Sequence, residues 1–283
     1  LSHASLALFS DDLDRRVGGD RKRCTDQIGA RKVEVSNVRT PTPHEREKLA
    51  GRTVISSTSG GKDSTAMTLW LLENGIKPIC VFIDVGWEAK WTYDYVRNVL
   101  PKYFGEITWI KPEMQMEERI LHKAMFPSRV RRWCTPELKA VPFGKFVASL
   151  LDKGMDVVNC TGIRWKESKA RAKYDEWEWS DAYDCDTWRP ILPWSEQDVI
   201  DMMNKHGIPP NPMYMKGATR VGCWPCIFQK KSEINLMAKI DPERIDFLRD
   251  LEQRVKEAGD IKFAAQHEPG DTIAIGNSGT EVT

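Results

Sequence analysis

The sequence predicts an α/β fold: a doubly wound, mostly parallel sheet of five strands followed by a helical C-terminal region. Three observations carry this expectation. Short apolar runs alternate with helical segments, as in βαβ units. Several of these runs are continuously apolar, as in strands covered on both faces. Polar, glycine-bearing loops recur at strand ends, where open parallel sheets bind ligands.

Each element has a local reason. Thr53 to Ser57 is a β-rich run, followed by the loop Ser59-Gly60-Gly61-Lys62-Asp63-Ser64-Thr65. Ser64 to Asn74 reads as a helix stopped at Gly75, a natural left-handed terminator. Pro78 to Ile83 is a buried strand, Ile107 to Ile110 a shorter one, and Asp156 to Cys160 another. Between the last two, Phe143 to Leu151 reads as a helix closed near Gly154. Ser195-Glu196-Gln197-Asp198 has the form of a capping box, opening a helix that stops at Gly207. Asp241-Pro242 is an aspartate cap with proline at the first helical position. That helix is expected to run to about Ala258, with a Gly-rich polar tail from Gln266. Three regions follow: a polar N-terminal arm over 1–50, the main domain over 51–235, and a C-terminal helix and tail over 236–283.

Composition narrows the function. The chain has 283 residues, 29% charged and 41% hydrophobic, with a net charge of +1. No overall basic field favours nucleic acid, so any such contact needs a local patch. No apolar stretch reaches the roughly 18 residues of a membrane span, and Leu1 to Arg16 lacks the layout of a secretion signal. The expected location is the cytoplasm. The seven cysteines are then reduced thiols or metal ligands rather than a disulfide framework.

The loop at 59–65 has the chemistry of a phosphate cradle. Gly60 and Gly61 let an anion approach the main chain. The helix that follows points free N–H groups and its positive dipole end at the loop. Lys62 adds a cation, and Ser59, Ser64 and Thr65 add hydroxyls. The spacing is not that of the Walker loop, because the glycines are adjacent and an aspartate follows the lysine. A plain glycine turn before a helix is the alternative.

Ser59-Gly60-Gly61-Lys62-Asp63-Ser64 resembles the PP-loop of the adenine nucleotide alpha hydrolases, which include the ATP pyrophosphatases and the phosphoadenosine phosphosulfate (PAPS) reductase family. Asp84-Val85-Gly86-Trp87-Glu88 resembles the Asp-Thr-Gly element of the PAPS reductase branch. Thr161-Gly162-Ile163-Arg164 with Glu167, Ser168 and Arg171 resembles its second nucleotide motif, and Arg189 to Trp194 with Pro212-Met213-Tyr214 its downstream segment. The resemblance covers roughly residues 52 to 235. It implies that Lys62 and the amides of Gly60 and Gly61 grip phosphates and that Asp84, Gly86 and Trp87 lie beside the adenosine. It also implies cationic contacts from Arg164 and Arg171 to phosphate or sulfate. For Trp87 core packing is the alternative, and for Arg171 a solvated helix charge.

Cys223-Trp224-Pro225-Cys226 suits zinc, a redox pair or half of an iron–sulfur site. The family's adenylylsulfate reductases hold a [4Fe–4S] cluster with a Cys-Cys pair and a distant C-x-x-C. Cys134, Cys223 and Cys226 match three of those positions, but Trp133 stands where the pair needs another cysteine. Cys160 or Cys185 could supply the missing ligand, or one iron stays open to sulfide or substrate. Zinc and purely structural thiols remain alternatives. Cys80 reads as a small hydrophobe, and Cys24 gets no role.

The resemblance leaves a fork. Reductases of the family carry a nucleophilic cysteine near the C-terminus, and no cysteine follows Cys226 here. Their PP-loop is often degraded, whereas this one is complete. A complete loop fits ATP cleaved to pyrophosphate and an adenylylated acceptor, with Lys62, Asp63 and Arg164 in catalytic roles and Mg²⁺ near Asp63 or Asp84. The acceptor could be a nucleic acid or a small molecule, the sulfur source a donor protein, and the assembly a homodimer. Sulfonucleotide reduction is the second reading, and a nucleotide-binding subunit without turnover the third. Arg129, Arg131, Arg132 and Lys139 around Cys134, with Lys216, Arg220, Lys230 and Lys231 around the C-x-x-C, would ring the site with cations. Trp165, Trp177, Trp179 and Trp188 could stack on a base or serve in packing.

Overall fold

The computed structural model of the chain describes residues 38–266. The N-terminal part of the expected arm, with Cys24, and the expected tail beyond Gln266 lie outside those residues. Helix α1 (Pro43–Leu49) opens with a capping box in which Thr42 and Glu45 exchange hydrogen bonds. Arg39 pairs with Glu45 and reaches Glu176, and its carbonyl accepts from the Trp70 indole. Residues 39–49 therefore pack on the main body rather than stand apart from it.

The sheet has six strands in the order β3-β2-β1-β4-β6-β5. Strands β1 (Thr53–Ser57), β2 (Ile79–Ile83), β3 (Ile107–Ile110), β4 (Val157–Thr161) and β6 (Cys185–Trp188) are parallel. Strand β5 (Trp177–Ser180) runs antiparallel to β6 at the edge. The expected number was five, and the β5–β6 hairpin accounts for the difference. Trp177 stacks on Trp188 across the hairpin at 5.1 Å, and Trp188 is fully buried. Those two tryptophans pack; Trp179 and Trp165 remain exposed.

Both faces of the sheet are covered. Helix α2 (Lys62–Glu73) buries eight successive residues, Ser64 to Leu71, between β1 and α7 (Glu196–Lys205). Three of the eight, Ser64, Thr65 and Thr68, are hydroxyl residues, and Thr68 is bonded to Ser56 at 2.7 Å and to the Ser64 carbonyl at 2.8 Å. Between them lie α3 (Lys90–Asp94), α4 (Pro101–Phe104), α5 (Met116–Lys123) and α6 (Val141–Leu151). Helix α6 covers the opposite face, with Phe143 and Val147 against Ile55, Val81 and Val157. Helices α8 (Pro212–Met215), α9 (Lys231–Ile240) and α10 (Pro242–Gln266) follow. Helix α10 runs past the expected end near Ala258 and packs on α5, with Leu251 fully buried. Among the described residues no helix is long and apolar enough to cross a membrane.

Candidate functional site

Strand order reverses between β1 and β4, which is where doubly wound sheets open a ligand crevice. The loops after both strands meet there. Gly60 takes a left-handed backbone (φ +74°), and Asn211 backs it by donating to its carbonyl at 3.0 Å. Gly61 caps α2 without a side-chain bond. Within the loop the Ser64 hydroxyl accepts from the Ser59 amide at 3.1 Å, while the Lys62 amide donates to the Tyr214 hydroxyl at 3.2 Å. Gly162 lies so close to α2 that a Cβ there would stand 2.7 Å from the Ser64 Cα.

The cations of the site share one carboxylate. Arg164 Nε sits 2.5 Å from Asp63 Oδ1, and Lys62 Nζ is 3.3 Å from Asp63 Oδ2 and from Glu196. Burial works against the Lys62 ammonium, but Asp63, Tyr214 and Glu196 outweigh it and raise its pKa. Asp63 thus holds two positive groups at the mouth of the loop. Asp84 is also engaged: its Oδ1 accepts from the Gly86 amide at 3.0 Å and from the Tyr93 hydroxyl at 2.8 Å. A metal at either carboxylate would have to share these bonds.

Beside these loops is a cavity of about 320 Å³. Ser57, Ile83, Asn159, Thr161 and Ile163 line it from three strand ends, with Arg189 across from them. The Thr161 hydroxyl is buried without a hydrogen-bond partner, a group that a ligand hydroxyl or ring nitrogen would satisfy.

Two residues of the expected set lie elsewhere. Trp87 is 4% exposed; its indole donates to the Pro225 carbonyl at 3.0 Å, and its ring packs on Phe247 beneath Arg244. It is a core residue of the C-terminal region rather than a wall for adenosine. Arg171 pairs with Glu167 one turn earlier, and its side chain is 39% exposed. The solvated-charge reading fits it, with Ser168 accepting from the Arg171 amide at 3.2 Å.

A second cavity, of about 280 Å³, is lined by Cys134, Cys223 and Cys226 together with Trp87, Met116 and Phe126. The expected trio therefore comes together. Cys160 does not join it. It is 0% exposed in β4, facing Val54 and Trp188 in the sheet core, because alternation along the strand turns it inward. Cys185 is likewise buried, against Phe143 and Val147. Two hydrogen bonds tie the cysteine segment to the loop after β2: Trp224 N to Trp87 O at 2.7 Å, and Trp87 Nε1 to Pro225 O. From behind, Trp224 donates to Asp241 and accepts from Arg244.

A carboxylate that the sequence did not single out, Glu88, and one of the expected cations, Lys139, complete this site. Glu88 Oε1 accepts from Cys223 Sγ at 3.7 Å. Lys139, in a π-helical turn (Pro136–Ala140), lies beside the same thiol and also lines the first cavity. Burial disfavours its charge, but Cys223 and Glu88 outweigh this and raise its pKa. Burial pushes the Cys223 thiol up to about 12. The other cations expected to ring the site divide: Arg129 bonds the Ile227 carbonyl, Arg132 lies over Phe228, and Arg131 is exposed.

The phosphoadenosine phosphosulfate reductase domain matches residues 53–229. The chain belongs to this family. It is 31% identical over 269 residues to an uncharacterized 37.8 kDa protein of Escherichia phage 186, covering 76% of this chain and 80% of that one. It is 26% identical over 189 residues to an adenosine 5'-phosphosulfate reductase of Burkholderia cepacia, covering 65% and 70%. A crystal structure of PAPS reductase from Candida auris in a phosphate complex aligns with a TM-score of 0.47 at 16% identity, over 65% of this chain and 97% of that one.

Proposed function

We propose that this family member binds ATP with Mg²⁺, cleaves it between the α and β phosphates, and adenylylates an acceptor that then takes sulfur. The observation that carries the reading is the complete loop at 59–65, with its left-handed Gly60 and with Lys62 and Arg164 gathered on Asp63 at the start of α2. The loop amides and Lys62 neutralise the diphosphate as it leaves. An acceptor oxygen attacks the α phosphorus, the bond to the bridging oxygen breaks, pyrophosphate departs, and the acceptor proton passes to solvent. The cavity at the strand ends takes the adenosine, and the magnesium rides on the phosphates.

The three-cysteine cavity suits a [4Fe–4S] cluster better than zinc. Among the described residues no three Cys, His, Asp or Glu converge on one point, as a single ion requires. A cluster binds each thiolate at a separate iron, so ligands spread around an apolar cavity match it. When bound, the cluster would supply an iron able to carry sulfide for transfer. Lys139, which lines the strand-end cavity and lies beside Cys223, would then face the activated acceptor and offset the negative charge of the thiolates.

A second reading, sulfonucleotide reduction, is favoured by the relatives named as adenosine 5'-phosphosulfate reductases. One experiment separates the two. Calorimetry on anaerobically purified protein compares ATP with Mg²⁺, adenylylsulfate and PAPS, alongside pyrophosphate release from ATP. Preference for ATP with pyrophosphate formation is the expected result. Preference for a sulfonucleotide, with sulfite released on adding thiol, overturns the first reading in favour of the second.

A further inference from the structure

We infer that the exposed aromatic rings of residues 165–179 form a binding surface for single-stranded nucleic acid, at the rim of the strand-end cavity beside the phosphate loop. The surface stands on its own observations. That the bound strand is the acceptor of the adenylyl group rests on the ATP reading above.

Three large rings on this one stretch are left in water. Trp165, Tyr174 and Trp179 are 40%, 41% and 53% exposed. Large apolar side chains grouped outside the core mark a contact surface. These rings lie close together and are held in place. The Trp165 indole donates to the Tyr174 carbonyl at 2.9 Å, and Tyr174 and Trp179 line the same cavity. Buried Arg189 lies 4.7 Å from the centre of the Tyr174 ring and donates to the Asp175 carbonyl at 2.9 Å, anchoring the segment from its inner side. Rings fixed in advance lose little freedom when a partner stacks on them.

The charge between the rings has one sign in excess. From Trp165 to Tyr174, Lys166, Lys169, Arg171 and Lys173 stand against one carboxylate, Glu167. Of the acids that follow, up to Trp179, Glu176 and Glu178 pair with Arg39 and Arg189, and Asp175 is exposed. The whole chain carries only +1, so this is a local patch. Cations interleaved with open rings match a chain that repeats a phosphate and a flat base: the phosphates meet the cations and the bases stack on the rings. A duplex meets the cations but not the rings, because its bases are already stacked on one another. Single-stranded RNA and DNA share the matching chemistry.

The patch also adjoins the phosphate site. Arg164, directly before Trp165, pairs with Asp63 at the start of α2. The Trp165 amide is fixed by the Leu192 carbonyl at 2.9 Å. A strand stacked on Trp165 therefore passes one residue from the cationic mouth of the loop.

The test titrates the full-length chain into labelled oligonucleotides of about 16 nucleotides, as single-stranded RNA, single-stranded DNA and duplex DNA. Fluorescence anisotropy is read over a series of salt concentrations, with melting curves as a folding control. A single strand, RNA or DNA, should bind more tightly than the duplex, and the two single-stranded arms show which of them is preferred. Trp165→Ala and Trp179→Ala should each weaken binding about fivefold or more, and Trp179→Phe should largely restore it. Lys169→Gln with Lys173→Gln should lower the slope of log affinity against log salt by about 0.7 per lysine and leave ATP affinity unchanged. Equal affinity for duplex and single strand, untouched by the two alanine variants, overturns the inference. So does failure to bind any oligonucleotide at low salt. A self-associating wild type that Trp179→Ala makes monomeric, with no oligonucleotide bound, gives the surface to a second copy of the chain and overturns it too. Tight single-strand binding without ATP affinity sustains the surface while the ATP reading fails.

Discussion

Gly162 is the position where a single methyl group most directly tests the nucleotide site. An ideal Cβ there would stand 2.7 Å from both Cα and N of Ser64 and 2.9 Å from the carbonyl carbon of Asp63. Ordinary contact begins at 3.4 Å, so the loop after β4 must retreat from α2 by about 0.7 Å in Gly162→Ala. All three obstructing atoms are backbone and cannot swing aside. Forcing extra volume into a packed site costs about 1–3 kcal/mol. For a chain of this size that lowers Tm by about 2–12 °C. The retreat also pulls on Arg164, two residues on, whose 2.5 Å contact with Asp63 holds the cationic mouth together. ATP affinity should therefore fall about tenfold or more, each tenfold corresponding to about 1.4 kcal/mol. Differential scanning fluorimetry and ATP calorimetry read the two effects. Gly259→Ala is the control: that glycine lies in α10 with nothing within 4 Å of an added Cβ, so helix propensity should leave it neutral or slightly stabilised. A Gly162→Ala protein with wild-type Tm and wild-type ATP affinity would refute the claim that this close approach shapes the phosphate site.

Three further outcomes are expected. Asp63→Asn should destabilise by about 3–5 kcal/mol, since it leaves the buried Arg164 charge without its carboxylate, and Arg164→Met should cost less, since Lys62 still pairs with Asp63; the double variant should lose clearly less than the two together, and simple additivity in denaturant titrations would count against the pair. Asn211→Ala removes the donor to the Gly60 carbonyl and the acceptor for the Met213 amide, so a loss of about 1–3 kcal/mol with weaker ATP binding is expected, and unchanged calorimetry would show that the loop needs no such support. Burial alone would raise the Glu45 carboxyl, but Arg39 and Thr42 outweigh it and hold its pKa below the ordinary 4.5; that stability is present above 4.5 and is lost as pH falls below it, so Glu45→Gln should flatten the acid limb of a Tm-against-pH curve, and parallel limbs would sink the assignment.

What the sequence disclosed was mainly local. Strands β1 and β3 occupy the residues expected for them, because their apolar runs are short and cleanly bounded. Helix α2 begins two residues earlier than expected, at Lys62, because Gly61 rather than a side-chain cap starts it. The β5–β6 hairpin escaped notice for a physical reason. Glu178 and Trp179 are exposed at the sheet edge, so Trp-Glu-Trp-Ser lacks the apolar run of a buried strand; a Trp177–Trp188 stack and an Arg189–Glu178 pair hold it instead. The same division runs through the site. The loop at 59–65 was legible as a glycine, lysine and hydroxyl cluster because one short segment carries them all. Asn211, Tyr214 and Glu88 were not, because they act on partners 151, 152 and 135 residues away. Trp87 misled for the converse reason: its motif position pointed to the nucleotide, while its contacts lie with the distant C-terminal helices.

The loop after β2 begins at the strand end of β2 and ends against the cysteine segment. Its first residue, Asp84, accepts from the Gly86 amide and from the Tyr93 hydroxyl, and its fifth, Glu88, accepts from the Cys223 thiol. Tyr93 bridges the two ends, donating to Asp84 while accepting from the Glu88 amide. Burial and the facing Asp84 raise the Tyr93 pKa, so the hydroxyl keeps its proton and remains a donor. Gly86 is pressed to within 2.9 Å of Gln115 at its would-be Cβ, so this turn has no room for a side chain. A segment held at both ends and in the middle does not need to travel to bring an activated acceptor and a sulfur-bearing site together. On the proposed reading, proximity is built into five residues of one loop. Lys139 lies beside Cys223 and Glu88, and Arg244 of α10 ties down the cysteine segment at the Trp224 carbonyl. Such an arrangement favours transfer within a fixed geometry, where reacting groups gain effective concentration from being pre-positioned. It also places the burden of selectivity on what can enter the two cavities rather than on closure around the substrate.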